Sequence, residues 1–474
     1  MPVLHVLSAD ELQRIHLASL RVLRDVGIQI YHDDALRALE KAGASVDYNK
    51  QLARIPSNLV DESIAKSRKS YVLAGRSSEN DLKIEVGKTY TRGASGCPYI
   101  IDGQTGNRRK ATSEDVRTYT RMQDALGNIS FCGGAPYPSD VPPAVQDVCQ
   151  IKIMLENTTK HVRFQPFSGE SLSYIIRLAC AVVGGEEELR KRPIVSCITA
   201  PSSPLAYSKE QADIIIMCGR YGLPAMLGST PIVGATGPVT LAGSLVLQNA
   251  EILGGVTMSQ VIVPGAPLSY GPRTPTMDMR TGQSSWGAVE FGLAAAAGAQ
   301  MGRLYGFETD LYGAASDAKV LDEQAAVEKV YNSMLPALAG ANIVNGAGVL
   351  ETILTVSMEQ LAIDNEIFGM MFRLLEGIRI DDETMAEGVI SEVGPSGHFL
   401  AQDHTRRHYS SEHFIPVLFD RKSRDLWQQE GSRNVVTSAK DIVKKVLMEH
   451  DVPQLGTHTT AQLHQILEDA KNRR

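Results

Sequence analysis

The chain is 474 residues long, with 43% hydrophobic residues, 41 glycines and a formal net charge of −7. That length and apolar content suit a large packed α/β core and exclude a disordered or fibrous chain. The negative balance argues against a nucleic-acid partner, because binding phosphates takes a basic face. The six cysteines, at 97, 132, 149, 180, 197 and 218, contain no C-x-x-C pair, so a reduced, cytoplasmic setting is expected. The opening residues MPVLHVLSADELQRIH carry charges where a signal peptide needs an apolar run. No apolar stretch approaches the roughly 20 residues of a membrane span, so a soluble protein is expected.

The first predicted element is a helix from Ser8 to Val26, on which Leu12, Ile15, Leu20 and Leu23 recur at helical spacing. Ser8 and Glu11 are spaced as a capping box, and Gly27 stops the helix. Further helices are predicted over Asp33–Lys41 and, opened by its proline, Pro56–Ser67. With strand-like pieces near Tyr71 and Tyr90, they make an N-terminal α/β extension over residues 1–127.

A strand–helix rhythm follows over residues 128–424. Strands are predicted at Ile129–Cys132, His161–Phe164, Ile194–Thr199, Ala225–Gly228, Gln260–Val263, Arg303–Phe307 and Asn342–Asn345. Each is short and apolar, followed by a Gly/Pro/Ser/Thr loop and an amphipathic segment such as Lys209–Arg220 or Asp322–Met334. Seven such units predict a TIM (β/α)8 barrel, whose eighth strand is Cys97–Ile101 or Phe399–Ala401. An open doubly wound sheet is the alternative, but no GxGxxG marks its first strand-to-helix turn. Residues 425–474 read as a polar, helical C-terminal tail.

Several segments carry chemistry. In STPIVGATGPVTLAG (229–243), backbone amides and the hydroxyls of Thr230 and Thr236 line a barrel mouth, or the glycines merely permit tight turns; without GK[ST] it is no P-loop. MDMRTG (277–282) sets Asp278 and Arg280 beside Tyr270 and Arg273, either at the mouth or as an exposed ion pair. In FETDLYG (307–313), Phe307, Glu308 and Tyr312 come off the end of a predicted strand. A carboxylate between two aromatics suits a quaternary ammonium ion, although a capping acid with two core rings has the same spelling. KHVRFQPF (160–167) puts His161, Arg163 and Gln165 on one strand face, and an inward Arg163 must meet an acid or an anionic ligand. The histidines at 398, 404, 408 and 413 lack the acid and the third ligand that an H-x3-H zinc site requires. No metal is expected there, and His398 is kept as a substrate contact.

Four phrases are similar to one family as they stand: GATGPVTLAG (234–243), MDMRTGQSSWGAVEF (277–291), GAASDAKVLDEQAAVEK (313–329) and HTRRHYSSEHFIPVLFDRKSRDLW (404–427). Their order and spacing resemble the trimethylamine methyltransferases over most of the chain. The resemblance implies a TIM barrel whose open face receives a corrinoid protein, with Co(I) as methyl acceptor and no tightly bound cofactor of its own. It also implies methyl metabolism of the methanogenic or acetogenic kind found in anaerobes. Every letter is one of the standard twenty, so the chain looks like the branch without pyrrolysine, whose members act on glycine betaine, proline betaine or carnitine. A quaternary ammonium needs no activation, because its leaving group is already a neutral tertiary amine. The expected activity is therefore methyl transfer from a quaternary amine, glycine betaine first, releasing dimethylglycine. Proline betaine, carnitine, or a betaine-binding or sensor protein without turnover are the alternatives. The expected site holds the trimethylammonium among Phe307, Tyr312, Tyr99 and Tyr270 with Glu308 nearby, and the carboxylate on Arg163, Arg273 or His398. A homo-oligomer is compatible with this reading.

Overall fold

The computed structural model describes residues 4–85 and 87–472. Eight strands form the centre: β1 (Tyr90–Gly93), β2 (Cys132–Gly133), β3 (Val162–Phe164), β4 (Val195–Thr199), β5 (Ala225–Leu227), β6 (Leu268–Tyr270), β7 (Glu308–Tyr312) and β8 (Ile343–Ala347). All neighbours are parallel in chain order from β2 to β8, and β8 pairs with β1. A parallel bridge between Arg92 and Phe131 brings β1 back to the start of β2, so the sheet closes as a TIM barrel. The helices outside it are α1 (Ser113–Ala125), α2 (Gln146–Asn157), α3 (Gly169–Val183), α4 (Lys209–Tyr221), α5 (Leu241–Ile262), α6 (Val289–Tyr305), α7 (Glu323–Leu338) and α8 (Met358–Glu376). Strands covered on both faces must be apolar outward. The short runs VRF, AML and LSY are buried at every position, which is why they read as strands at all.

Two predicted strands fall elsewhere. Gln260–Val263 lies at the end of the 22-residue helix α5, and the strand is the following Leu268–Tyr270. Arg303–Phe307 is the end of α6 with its loop, and the strand begins at Glu308. Both segments are short and mostly apolar, so periodicity alone does not separate a helix end from an inner strand. Neither proposed eighth strand closes the barrel. Tyr99–Ile101 is a strand, but it pairs with Thr355–Val356 and Arg108–Lys110 in a small separate sheet. Phe399–Ala401 forms an exposed turn. The closing strand is β1, inside the stretch expected as the extension.

The N-terminal segment packs on the barrel's outer helices, and its hairpin closes the lower end. Its first helix, Ala9–Arg21, has the Ser8–Glu11 capping box and ends through one π turn at Gly27, whose φ of 89° suits glycine. A hairpin of Tyr71–Leu73 and Leu82–Ile84 places Tyr71, Leu73 and Ile84 against Phe131 and Ile343 at the N-terminal end of the barrel. At the other end of the chain, helix Val435–Glu449 lies along α8 and α1, and helix Thr457–Lys471 along α3 and α2. No described helix is long and apolar enough to cross a membrane.

A charged barrel lumen as the candidate functional site

Strand alternation turns Arg92, His161, Arg163, Ser196, Ser269, Glu308, Asp310 and Asn345 inward, all at most 3% exposed. They form one network. Arg163 donates from Nη1 to Glu308 Oε1 (2.8 Å) and Asp310 Oδ2 (2.7 Å), and from Nε to Ser196 Oγ (2.9 Å). Arg92 grips Asp310 through two nitrogens, at 3.1 and 3.2 Å, and Asn345 donates to the same carboxylate. Burial pushes the Asp310 carboxyl up, but the guanidiniums of Arg92, Arg163 and Arg273 outweigh it and hold the group well below the usual carboxylate range. His161 hydrogen-bonds Ala74 O and Ser196 Oγ; burial and then Arg163 push its pKa down to about 3, so it is neutral.

Charge in the lumen does not balance. Three guanidiniums face two carboxylates, and Arg273 is the one left over. Its Nη2 is 4.0 Å from Asp310 Oδ1, and its Nη1 reaches only Met226 Sδ (3.4 Å) and Gly271 O (3.3 Å). Burial therefore lowers its pKa to about 10, against the pull of Asp310. Nearby polar atoms also make no hydrogen bond to the protein. Arg163 Nη2, Asn345 Oδ1 and the Tyr312 hydroxyl are all buried without a partner of good geometry, although Tyr312 lies close to the Ser95 backbone. Buried polar atoms without partners cost roughly 1–3 kcal/mol each, so their clustering marks a place built to receive something. Space for the Arg273 guanidinium comes from Gly228, where a Cβ would stand 2.6 Å from Nη1.

The predicted site residues separate into two ends of the barrel. Glu308 begins β7 rather than ending it. It lies on the sealed floor, where Tyr71 and Ser269 (2.9 Å) donate to Oε2 and Arg163 to Oε1. Phe307 precedes it, under the Lys69 ammonium 3.9 Å from the ring centre. Five residues of strand, about 16 Å at ~3.3 Å each, separate Phe307 from Tyr312, so the two rings do not share a cage. Tyr270 points out of the barrel, where its hydroxyl donates to Asn249 of α5 (2.9 Å). Tyr99 sits half-buried in the small sheet with one face covered by Arg108, 4.1 Å away. His398 is exposed, in a segment tied back to α8 by the Arg373–Glu412 hydrogen bond. Arg163, Arg273 and Tyr312 do come together, at the middle and upper levels of the lumen.

Other sequence candidates take plain roles. Thr236 accepts from Ile232 N (2.9 Å) and stitches its own turn, while Val233 N bonds Pro275 O (2.8 Å), tying the loops after β5 and β6 together. Asp278 and Arg280 form an exposed pair at 2.8 Å. His404 and His408 stack 4.4 Å apart and both hydrogen-bond Glu383. Among the described residues no group of three His, Cys, Asp or Glu side chains is placed to hold a metal ion.

Sequence reasoning missed Arg92, Asp310 and Asn345, and also the rim. Beyond β3 the chain surfaces at Gln165 and at Phe167, which is 42% exposed and packs its ring 5.1 Å from that of Tyr137, beyond β2. Alternation along ETDLY already placed Asp310 beside Glu308 and Tyr312. The rim pair lies on loops without periodicity.

A closed parallel barrel, sealed below and carrying unsatisfied charged groups toward the C-terminal ends of its strands, is the scaffold of a TIM-barrel enzyme. The sequence profile of the family described as trimethylamine methyltransferase (MTTB) matches residues 1–473. The trimethylamine methyltransferase of Desulfitobacterium hafniense (strain DSM 10664 / DCB-2) is 34% identical over 469 residues, 98% of this chain and 94% of that protein. The glycine betaine methyltransferase of Desulfitobacterium hafniense (strain Y51) is 30% identical, over 91% and 90% of the two chains. Among solved structures, the monomethylamine methyltransferase of Methanosarcina barkeri superposes with a TM-score of 0.56 at 14% identity, over 94% of this chain and 89% of that one, a likeness of fold alone. The chain belongs to the trimethylamine methyltransferase family and is a methyltransferase of that family.

Proposed function

We propose that this protein moves a methyl group from a quaternary amine carrying a carboxylate, glycine betaine in the first place, to the Co(I) corrinoid of a partner protein, releasing dimethylglycine. One observation carries the reading: the lumen holds an extra, underpaired guanidinium beside an unpartnered tyrosine hydroxyl. A carboxylate completes that set, whereas trimethylamine has no anion to offer it. On this reading Arg273 and the Tyr312 hydroxyl hold the carboxylate, and Arg163 with Asp310 keeps both in place. The ammonium then lies toward the rim, where Tyr137 and Phe167 offer ring faces. With the carboxylate anchored inside, one methyl carbon is presented outward to the mouth. A Co(I) corrinoid, when bound there, supplies the nucleophile. Exposed apolar side chains around that face, Phe167, Val239 and Met279 among them, fit a docked corrinoid protein.

The chain's own groups have no proton to move, because the leaving amine is neutral. Their work is to bind, orient and exclude water. Glu308, fully hydrogen-bonded on the floor, acts in this scheme by holding Arg163. The test is methylation of reduced Co(I) cobalamin, followed spectroscopically, with glycine betaine, proline betaine, carnitine and trimethylamine as donors and dimethylglycine measured as product. Methylation by glycine betaine but not by trimethylamine is expected. Turnover of trimethylamine alone refutes the carboxylate assignment. Betaine binding without turnover, also in the presence of a corrinoid protein, would make the chain a binding protein.

A further inference from the structure

We infer that Asp317 is a positioning residue that binds the loops after β6, β7 and β8 into one wall and so fixes the Tyr312 hydroxyl beside Arg273. The inference rests on the carboxylate seat proposed above. It starts from the Tyr312 ring, which is held on three sides. The Arg273 guanidinium lies 5.6 Å from the ring centre, and Trp286 meets the ring edge-on at 5.4 Å. Gly346 approaches so closely that a Cβ there would stand 2.7 Å from Tyr312 Cε1. The hydroxyl has no partner of good geometry, so packing rather than hydrogen bonding sets where it points. Of the three neighbours, Trp286 stands on a loop, and its place depends on whatever holds that loop.

One carboxylate holds it. Asp317 Oδ1 accepts from Trp286 N (2.9 Å) and from Thr352 Oγ1 (3.0 Å), and Oδ2 accepts from Ser285 Oγ. These partners are 31, 35 and 32 residues away in sequence, so the acid does not merely stitch its own turn. Ser285 and Trp286 follow β6, Asp317 follows β7 and Thr352 follows β8. The hub is itself anchored to α7, where Glu328 accepts from Asp317 N (2.8 Å) and Ser316 Oγ (2.7 Å). Beyond β8 the backbone is strained: Glu351, Thr352 and Ile353 have successive φ angles of 53°, 55° and 63°. Consecutive non-glycine residues in the left-handed region persist only where their surroundings hold them. The β7 loop supplies that hold. Ala318 O accepts from Glu351 N (2.8 Å), Ser316 O from Thr352 N (2.9 Å), and Asp317 from the Thr352 hydroxyl. The three loops are therefore one unit, and the carboxylate at its centre sets Trp286 against Tyr312.

The test uses the full chain with Asp317→Ala and Asp317→Asn. Leu36→Ala, a core truncation in the remote helix Asp33–Lys41, is the control for lost stability. Native-state hydrogen exchange reads the wall without any ligand. In Asp317→Ala the amides of Trp286, Glu351 and Thr352 should exchange together, about tenfold faster or more, although two of them bond to carbonyls that the substitution leaves in place. The chain has two tryptophans, so in a Trp427→Phe background the emission belongs to Trp286, and Asp317→Ala should move it to the red. Calorimetric titration should show glycine betaine bound about ten- to a hundredfold more weakly by Asp317→Ala. Asp317→Asn should regain much of that loss, because its amide oxygen still accepts from Trp286 N, and Leu36→Ala should bind as wild type does. Loops that open one at a time, an unmoved emission, or wild-type affinity in Asp317→Ala would each overturn the inference. A wild-type chain that does not bind glycine betaine refutes the proposed activity instead, and exchange and emission then decide whether Asp317 holds the wall.

Discussion

Arg273→Met separates a binding arginine from a structural one. In the free protein Arg273 is a buried cation whose nearest carboxylate oxygen is 4.0 Å away and already bound by Arg92 and Asn345. Its side chain rests against Met226, so methionine keeps much of the volume while removing the charge. Replacing a poorly compensated buried ion by an apolar residue of similar size is commonly neutral or stabilising, by about 1–2 kcal/mol here. Over 474 residues the unfolding entropy is on the order of 1 kcal/mol per kelvin if the chain unfolds as one unit, so Tm should rise by ~1–2 °C. Binding should move the other way. A charge-assisted contact to a carboxylate contributes roughly 1.5–3 kcal/mol, so glycine betaine affinity should fall about ten- to 150-fold. Differential scanning calorimetry and isothermal titration calorimetry on the same sample read both quantities. A variant that melts lower while binding betaine as tightly as wild type refutes the reasoning, because Arg273 would then be a structural cation.

Three further outcomes follow from the lumen. Tyr312→Phe removes an unpartnered hydroxyl and should not lower Tm while weakening betaine binding about tenfold, whereas Phe307→Leu, at the sealed end, should leave binding at the wild-type value; titration calorimetry compares them. Asp310→Asn leaves Arg92 and Arg163 without their shared carboxylate and should cost about 3–5 kcal/mol in urea unfolding. The folded pKa of His161, about 3, lies below its ordinary 6.5, so the unfolded chain takes the proton first and stability is lost as pH falls from 6.5 toward 3. By pH 5 that loss should be ~2 kcal/mol, and the same slope should be absent from urea titrations of His161→Gln.

How much was legible follows from where each signal lies. The barrel could be read because short apolar strands alternate with helices. Its closing strand was read as a strand-like piece near Tyr90 but not as part of the barrel, because YTRG contains a buried arginine and a glycine in place of an apolar run. The two misplaced strands share one cause: helices α5 and α6 are buried nearly all round, so no polar stripe marks them as helical. Arg163 was readable from alternation plus the cost of an unpaired buried charge, and the acids it must meet are Glu308 and Asp310. The levels within the lumen were not readable. Shifting the start of β7 from Arg303 to Glu308 moves Glu308 from mouth to floor, and every role assigned from its position moves with it. Tyr137 and Phe167 belong to loops whose meeting depends on the packing of the strands beneath them.

The sealed floor constrains how the lumen is used. Tyr71 and the hairpin around it close the N-terminal end, and Tyr71, Ser269 and Arg163 saturate Glu308, so that end offers no entry path and no free acceptor. Among the described residues of the lumen, unsatisfied groups lie above it, at Arg163 Nη2, Arg273, Tyr312 and Asn345. On the proposed reading the small amine and the corrinoid protein then share one opening, and the amine must enter first, because the docked partner covers the mouth. Anchoring the carboxylate below and leaving the methyl groups above is the arrangement that keeps the reactive carbon accessible after the amine has bound. The same geometry explains why the charged network sits at mid-barrel. Arg92, Arg163 and Asp310 are too deep to touch the methyl group, and their mutual pairing fixes a rigid positive seat without bringing an acid near the ammonium.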